Sequence, residues 1–205
     1  MRGIYGLSGY GSLFSSGLTY SKAARAYYSK VNTQSRADMS GIKKEASELT
    51  DAIAKLTNKG KDTLFLDSKE YDKDDAFKAV KNFVAEYNDT VSSLAKTSDY
   101  RVKSAGNSMT RMTGIMSNSL AKVGVTVGTD GILSVDEETF KTADAGRVKN
   151  LFSGKNSYAG IVSSSASRVA SQAEREVTGY ANGLYGYNAL LFNHYHSGMF
   201  YNGFF

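Results

Sequence analysis

The sequence of 205 residues contains no cysteine, no proline and no tryptophan. Without cysteine, neither disulfide bonds nor cysteine-ligated metals can stabilise the fold. Proline interrupts helices and sheet ladders because it lacks a backbone N–H, so its absence is compatible with long helices. Long apolar runs are also absent: Ala189-Leu190-Leu191-Phe192 is far shorter than the roughly 20 residues that cross a bilayer. We therefore expect no membrane span.

The charged residues do not form the pattern of a nucleic-acid-binding protein. The chain has 25 basic and 20 acidic residues, which give a net charge of +5. A nucleic-acid-binding domain concentrates Lys and Arg on one face or in a recognisable motif, and neither is visible here. We therefore expect no nucleic-acid partner. Arg2 is not followed by an apolar stretch, so we also expect no cleaved secretory signal.

Catalytic and metal-binding residue sets are scarce. The only two histidines are His194 and His196, and the sequence lacks the nucleophile, phosphate-loop and zinc-protease motifs. The glycines of residues 6–11 have neither a preceding strand nor a following Lys. The His-x-His pair would reach one face of a strand, but no Asp, Glu or Cys follows Glu176 to add a third ligand. We expect no enzymatic activity, no cofactor and no metal.

The two ends of the chain differ in composition from its middle. Residues 3–21 and 177–205 contain no Asp, Glu, Lys or Arg and are rich in Gly, Ser and Tyr. Nearly all of the charge lies between them. We therefore divide the chain into three parts: a Gly/Tyr-rich N-terminal segment over 1–19, a helical bundle over 20–178 with a β-hairpin near 123–135, and a Gly/aromatic-rich tail over 179–205.

Apolar residues in the middle recur at steps of three and four, which places each set along one side of a helix. Two regular sets are Met39, Ile42, Ala46, Leu49, Ile53 and Leu56, and then Phe77, Val80, Val84, Tyr87, Val91 and Leu94. Two further sets are Val102, Ala105, Met109, Met112, Met116 and Leu120, and then Tyr158, Val162, Ala166, Val169, Ala173 and Val177. The predicted fold is mainly α, an antiparallel bundle or coiled coil of long helices. The three methionines are expected in the core.

Two stretches interrupt the helical pattern. Residues 58–75 form a charged connector with one short strand candidate, Thr63 to Leu66. The other stretch, residues 124–140, reads GVTVGTDGILSVDEETF and has Asp130-Gly131 between alternating apolar residues, which predicts a β-hairpin. A calcium loop aligned on the same Gly would need oxygen ligands where Thr126 and Gly128 stand, so the hairpin is favoured.

Acidic and hydroxyl residues mark the starts of helices. Ser134-Val135-Asp136-Glu137 has the S-x-x-E form of a capping box, so we expect Ser134 to cap a short helix that runs to about Thr142. A further helical segment is expected from Gly146 to Phe152. Asp72, Asp74 and Asp75 precede the helix that carries Phe77, where acidic residues favour the positive end of the helix dipole.

Three segments together carry a resemblance to a known family. They are Tyr87-Asn88-Asp89, then Val123-Gly124-Val125 through Asp130-Gly131 and on to Phe140, and then Val148 through Gly154. In this order and spacing they resemble the C-terminal region of the flagellar filament-capping protein (hook-associated protein 2) family, over roughly residues 72–180. Members of that family carry large β-rich domains between their helical parts. Here the connector over 58–75 stands in their place.

The resemblance implies a structural protein of the flagellar axis. Such a protein would pass unfolded from the cytoplasm through the flagellar type III channel and assemble outside the cell with itself, flagellin or hook-associated subunits. The two chain ends of axial proteins lie together and become ordered on assembly, which would make residues 1–19 and 179–205 assembly segments. The residues alone also allow these ends to pack back onto the bundle.

From these considerations we predict a set of contact residues on the helical stripes and in the tail. They are Leu49, Ile53, Leu56, Phe77, Val80, Val84, Tyr87, Val91, Leu94, Tyr180, Tyr185, Tyr187 and Phe192. Two other classes of protein stay open. One is a cytoplasmic helical-bundle binding module, such as a regulator or a chaperone. The other is an exported surface protein that adheres through its Tyr-rich tail.

Overall fold

The computed structural model describes residues 10–57, 64–65 and 71–197 of the chain, with the backbone alone for 10–25, 27–29, 32 and 180–197. The chain divides into two compact units, 1–37 and 38–205. Of the strand candidate Thr63 to Leu66, only Leu64 and Phe65 are described, and they form a bend. The rest of that candidate, like residues 1–9 and 198–205, lies outside the described residues.

Helices account for most of the described chain, as the apolar periodicity predicts. In chain order the elements are α1 (Tyr10–Thr57), α2 (Lys73–Lys96), α3 (Tyr100–Ala121), β1 (Val125–Val127), β2 (Leu133–Val135), α4 (Glu137–Thr142), α5 (Ala145–Phe152) and α6 (Tyr158–Ser197). The strands β1 and β2 pair antiparallel, with Val127 opposite Leu133. The prediction of a mainly α fold with a small hairpin is confirmed. Both α1 and α6 continue into the Gly-rich ends as helix backbone.

Aspartates begin the helices α2 to α5. Asp72, Asp99, Asp136 and Asp144 each accept a hydrogen bond from a backbone N–H of the first turn that follows. Such a cap satisfies one of the amides that lack a partner inside the helix. The predicted cap at Ser134 is wrong, since this residue pairs with Thr126 in the sheet, and their hydroxyl oxygens lie 2.6 Å apart. The helix therefore starts where the strand ends, at Asp136.

The helix α3 runs antiparallel to both α2 and α6. Tyr87 on α2 donates a hydrogen bond to Thr113 on α3, and a Cβ on Gly106 would meet Leu94, further along α2. As the residue number increases along α2, the number of the contacting residue on α3 decreases. The same holds for α3 and α6, where Thr113 contacts Tyr158 and Arg101 pairs with Glu176.

Residues 38–57 of α1 complete the ring of helices. Lys43 on α1 forms an ion pair with Glu174 on α6. On the other side of α1, Lys55 lines a groove together with Asp75 of α2. Around the core the order is thus α1, α2, α3 and α6, and α6 returns to α1. The α1/α2 edge and the α3/α6 edge of this bundle lie on opposite sides.

The predicted stripes form the core inside this ring. Every residue of the first two stripes is buried, and so are Tyr158, Val162, Ala166, Val169 and Ala173 on α6. The third stripe is buried at Val102, Met109 and Leu120 and half-buried between them. An aromatic cluster beside the stripes is formed by Phe83, Tyr87, Phe140, Phe152 and Tyr158, with ring centroids about 6 Å apart. Among the described residues, no helix is both long and apolar enough to cross a membrane.

Candidate interaction surfaces

Nine of the thirteen predicted contact residues lie in the core of the chain. They are Leu49, Ile53, Leu56, Phe77, Val80, Val84, Tyr87, Val91 and Leu94, and none is more than 9% exposed. Their stripes are covered by the chain's own helices, because a single chain supplies four antiparallel helices that bury them mutually. In the folded chain these residues are therefore not a contact surface, and the prediction is corrected on this point. Contacts with other molecules are left to the outer faces and the ends.

The other four predicted contact residues lie near the end of α6. They are Tyr180, Tyr185, Tyr187 and Phe192, and their side chains lie outside the described part of the structure. Their role in assembly stays a prediction. The two histidines of the tail, His194 and His196, also lie on α6 and not on a strand. Residues two apart on a helix point to different sides, so the strand geometry assumed for this pair does not apply.

The tyrosine of the Tyr87-Asn88-Asp89 motif belongs to a buried hydrogen-bond network. Its hydroxyl lies 3.0 Å from Thr113 Oγ1, which lies 2.9 Å from the hydroxyl of Tyr158. Thr113 also donates to the carbonyl of Met109 at 3.0 Å. Burial raises the pKa of both tyrosines, so both phenols stay protonated. The network joins α2, α3 and α6 in the middle of the core.

The asparagine of the same motif holds the hairpin. Asn88 Nδ2 donates to the Leu133 carbonyl at 2.8 Å, and the Leu133 N–H donates to Asn88 Oδ1 at 2.8 Å. A side-chain amide thus forms the two bonds that a neighbouring strand would form. Because Leu133 itself is buried, these bonds satisfy polar backbone groups at the junction between α2 and β2.

The acidic residues around the hairpin have structural partners. Asp130 Oδ1 accepts a hydrogen bond from the N–H of Ile132 at 3.0 Å, which shapes the turn. The next residue, Gly131, has φ +80°, a conformation that favours glycine. Asp136 caps α4, and Glu137 pairs with Lys141 one turn later at 2.6 Å. Lys141 also pairs with Asp74 at 2.5 Å and so ties α4 to α2.

An arginine groove lies on the outer side of α3 and α6. Its volume is about 550 Å³, and its lining consists of Tyr100, Arg101, Ser104, Ala105, Ser108, Arg168, Gln172 and Arg175. Arg101 pairs with Glu176 at 3.3 Å, and Arg168 reaches the hydroxyl of Ser165 at 3.3 Å. Tyr100 is 82% exposed at one end of the groove. Tyr and Arg are among the residue types that are enriched in protein interfaces.

An acidic seam lies on the opposite side, where α1 meets α2. It consists of Glu45 and Glu48 on α1 and Glu86 and Asp89 on α2. Burial raises the pKa of Glu86, and the charges of Glu48 and Asp89 raise it further. One oxygen of Glu45 is buried without a hydrogen-bond partner among the described residues. Lys44, whose charge lowers the pKa of Glu86, pairs with Glu48 at 3.1 Å.

Neither surface was found from the sequence. Arg168 and Arg175 are seven residues apart, a spacing that puts them on one side of a helix, and this signal was available. The other features could not be predicted in this way. Arg101 lies beside the two arginines of α6, and the acidic residues of α1 lie beside those of α2, only because the helices pack against each other. No protein-family model, no curated protein and no solved structure matches this chain. Among the described residues, no group of His, Cys, Asp or Glu is arranged to hold a metal ion.

Proposed function

We propose that this chain is a structural protein of the flagellar axis, similar to the filament-capping family, which assembles outside the cell with itself or with filament or junction subunits. The observation that supports the proposal is that the three segments which carry the resemblance lie in one packed unit. Asn88 bonds directly to Leu133, and Phe140 packs against Phe152 at a ring distance of 6.5 Å. Segments far apart in sequence are thus in direct contact.

The closed core decides which parts of the chain are free to assemble. Because the helical stripes are covered within one chain, a subunit would enter the assembly already folded in its middle part. The association would then use the outer helix faces and the two uncharged ends, residues 3–21 and 177–205. Apolar and aromatic residues at such ends gain stability when association removes their surface from water.

Cell fractionation tests the proposal directly. The full chain, with a small internal epitope in the connector, is followed in the host bacterium and in a matched strain that lacks the flagellar type III export apparatus. We expect it in the sheared filament fraction of the first strain and only inside the cells of the second. A filament subunit of the same cells serves as the export control. Retention of the chain inside cells that export their filament subunits normally would contradict the proposal.

A cytoplasmic helical binding module is the second candidate, and one observation favours it. The bundle buries its stripes without any partner, as a self-contained domain does. For this candidate the same fractionation would leave the chain in the cytoplasm of both strains. Gel filtration of the cytoplasmic fraction would then show whether it is monomeric or bound to another protein.

A further inference from the structure

The two charged surfaces have opposite signs and lie on opposite sides of the bundle. The arginine groove lies between α3 and α6, and the acidic seam lies between α1 and α2. In the helix order α1, α2, α3, α6, these are the two opposite edges of the ring. Two copies of the chain can therefore bring an arginine groove against an acidic seam while one surface of each kind stays free.

The arginine groove has cationic groups that no carboxylate of the described residues neutralises. Of its three guanidinium groups, that of Arg101 alone forms an ion pair within the described part of the chain, with Glu176. Arg168 contacts a serine hydroxyl, and Arg175 has no carboxylate within ion-pair distance among the described residues. A planar guanidinium binds a carboxylate through two parallel hydrogen bonds, which makes arginine suited to carboxylate-bearing partners.

The acidic seam, conversely, has more carboxylates than cations acting on them. The cation whose charge acts on Glu86 is Lys44, and it is itself paired with Glu48. Glu86 receives no ion pair among the described residues, and its neighbours of like charge oppose its ionisation. An approaching guanidinium would relieve this repulsion.

We propose that the arginine groove of one copy binds the acidic seam of a second copy. The contact is heterologous, since it joins two different surfaces, and such contacts generate rings or open helical arrays. The inference rests on the self-association in the proposed function and assigns an interface to it. Tyr100 lies at the end of the groove, where it adds an exposed aromatic surface to the contact.

Sedimentation of the purified full chain tests the contact. Exposed charge pairs weaken as the Debye length falls from about 10 Å at 0.1 M salt to about 3 Å at 1 M. We expect concentration-dependent association at the lower salt and at least a tenfold weaker apparent affinity, on the order of that seen for steered charged interfaces, at the higher salt. A chain that remains monomeric at both salt concentrations would overturn the proposal.

Charge reversal identifies the two surfaces. Arg168→Glu/Arg175→Glu reverses the charge of the two groove arginines that form no ion pair among the described residues, and Glu48→Arg/Asp89→Arg reverses two of the four carboxylates of the seam. We expect each variant alone to associate at least about tenfold more weakly than the wild type. A mixture of the two should associate again, because a groove of either variant then meets a seam of opposite charge on the other variant. Circular dichroism and thermal melting confirm that both variants are folded.

A matched control separates this contact from a general effect of charge. Arg111→Glu/Lys122→Glu changes the net charge by the same amount as the groove variant but leaves the groove lining intact. It should associate like the wild type. Failure of the mixture to recover, or equal weakening by the control, would overturn the proposal. So would saturable binding of DNA by a chain that does not self-associate, which would assign the groove to another anion.

The two tests fail in different ways. If the chain reaches the filament fraction but the groove variant assembles normally, the interface is wrong and the proposed function stands. If the chain stays inside the cell but its groove and seam bind each other in sedimentation, the interface stands and the flagellar function is wrong.

Discussion

Thr113 places a single hydroxyl group where three helices meet. Because that hydroxyl donates to the Met109 carbonyl, its oxygen is left to accept from Tyr87 and from Tyr158. Donor and acceptor capacity are thus used in full, as a buried polar group requires. The consequence is a core with one favoured register between α2, α3 and α6, since sliding any helix would leave a phenol without a partner.

Asn88 gives a sharp prediction at the scale of one residue. In Asn88→Asp the side chain keeps its shape but no longer donates to the Leu133 carbonyl, and its charge faces that carbonyl oxygen. We expect the free energy of unfolding to fall by about 2–3 kcal/mol, the cost of a lost bond and an unsatisfied buried group. Urea denaturation measures it.

The next residue offers the matched control for this change. Asp89 is exposed, and Asp89→Asn makes the reverse substitution one position along the same helix. Its effect should stay within about 0.5 kcal/mol, as for most surface substitutions. Equal destabilisation by the two variants would mean that the bonds to Leu133 do not stabilise the fold.

At the scale of elements, glycines fix the hairpin at its turn and at its entry. Gly131 shapes the turn, and Gly124, with φ +77°, lies where the chain leaves α3 and enters β1. At Gly124 a Cβ would stand 2.9 Å from the carbonyl oxygen of Asp136 and from the backbone nitrogen of Phe140. The backbone of β1 can approach the start of α4 this closely only because no side chain intervenes.

These two glycines separate the cost of backbone conformation from the cost of collision. Both have positive φ, but a Cβ at Gly131 would meet nothing within 4 Å. We expect Gly131→Ala to cost about 1 kcal/mol, the conformational penalty alone. Gly124→Ala should cost at least about 3 kcal/mol, because overpacking against backbone adds to the same penalty. Thermal unfolding of the two variants measures the difference, and similar losses would show that the predicted collision is absent.

At the scale of the whole molecule, the acidic seam makes stability depend on pH. Burial, followed by the charges of Glu48 and Asp89, raises the folded-state pKa of Glu86 above its ordinary value of 4.5. The folded chain therefore binds a proton at Glu86 more tightly than the unfolded chain does, so protonation of Glu86 stabilises the folded state. Its contribution is fully present below pH 4.5 and is lost as the pH rises through the raised pKa. At neutral pH the charged carboxylate is a net cost.

Glu86→Gln should remove that cost. At about pH 7 we expect its Tm to exceed that of the wild type by about 1–2 °C, and the difference should vanish below about pH 4, where the wild-type residue is also neutral. Melting curves at the two pH values, at a dilution where the chain is monomeric, measure this. Asp51→Asn removes one charge from an exposed position of α1 and should not show the gain. A gain that persists in acid would refute the assignment.

The sequence predicts those features that depend on the residues of a single helix. Apolar residues at steps of three and four identified the stripes because burial and periodicity have the same cause. Phe83 is not part of the predicted stripe of Phe77, Val80 and Val84, yet it is buried. Phe152 and Tyr158, from other elements, pack against its ring.

Features that depend on contacts between two elements could not be predicted from the spacing of residues within one element. Ser134 has the local form of a helix cap, but its pairing with Thr126 in the sheet takes precedence. The arginine groove likewise depends on Arg101 of one helix meeting Arg168 and Arg175 of another. The order of helices around a core is a property of the whole chain, and no spacing within one helix encodes it.

The bond between Asn88 and Leu133 also limits how this protein can aggregate. A strand edge with free N–H and C=O groups is a template onto which another polypeptide can add and continue the sheet. On β2 those groups of Leu133 are already occupied by an amide side chain from a helix. The ribbon is therefore terminated on that side, and fibril growth by strand addition there would first have to displace Asn88.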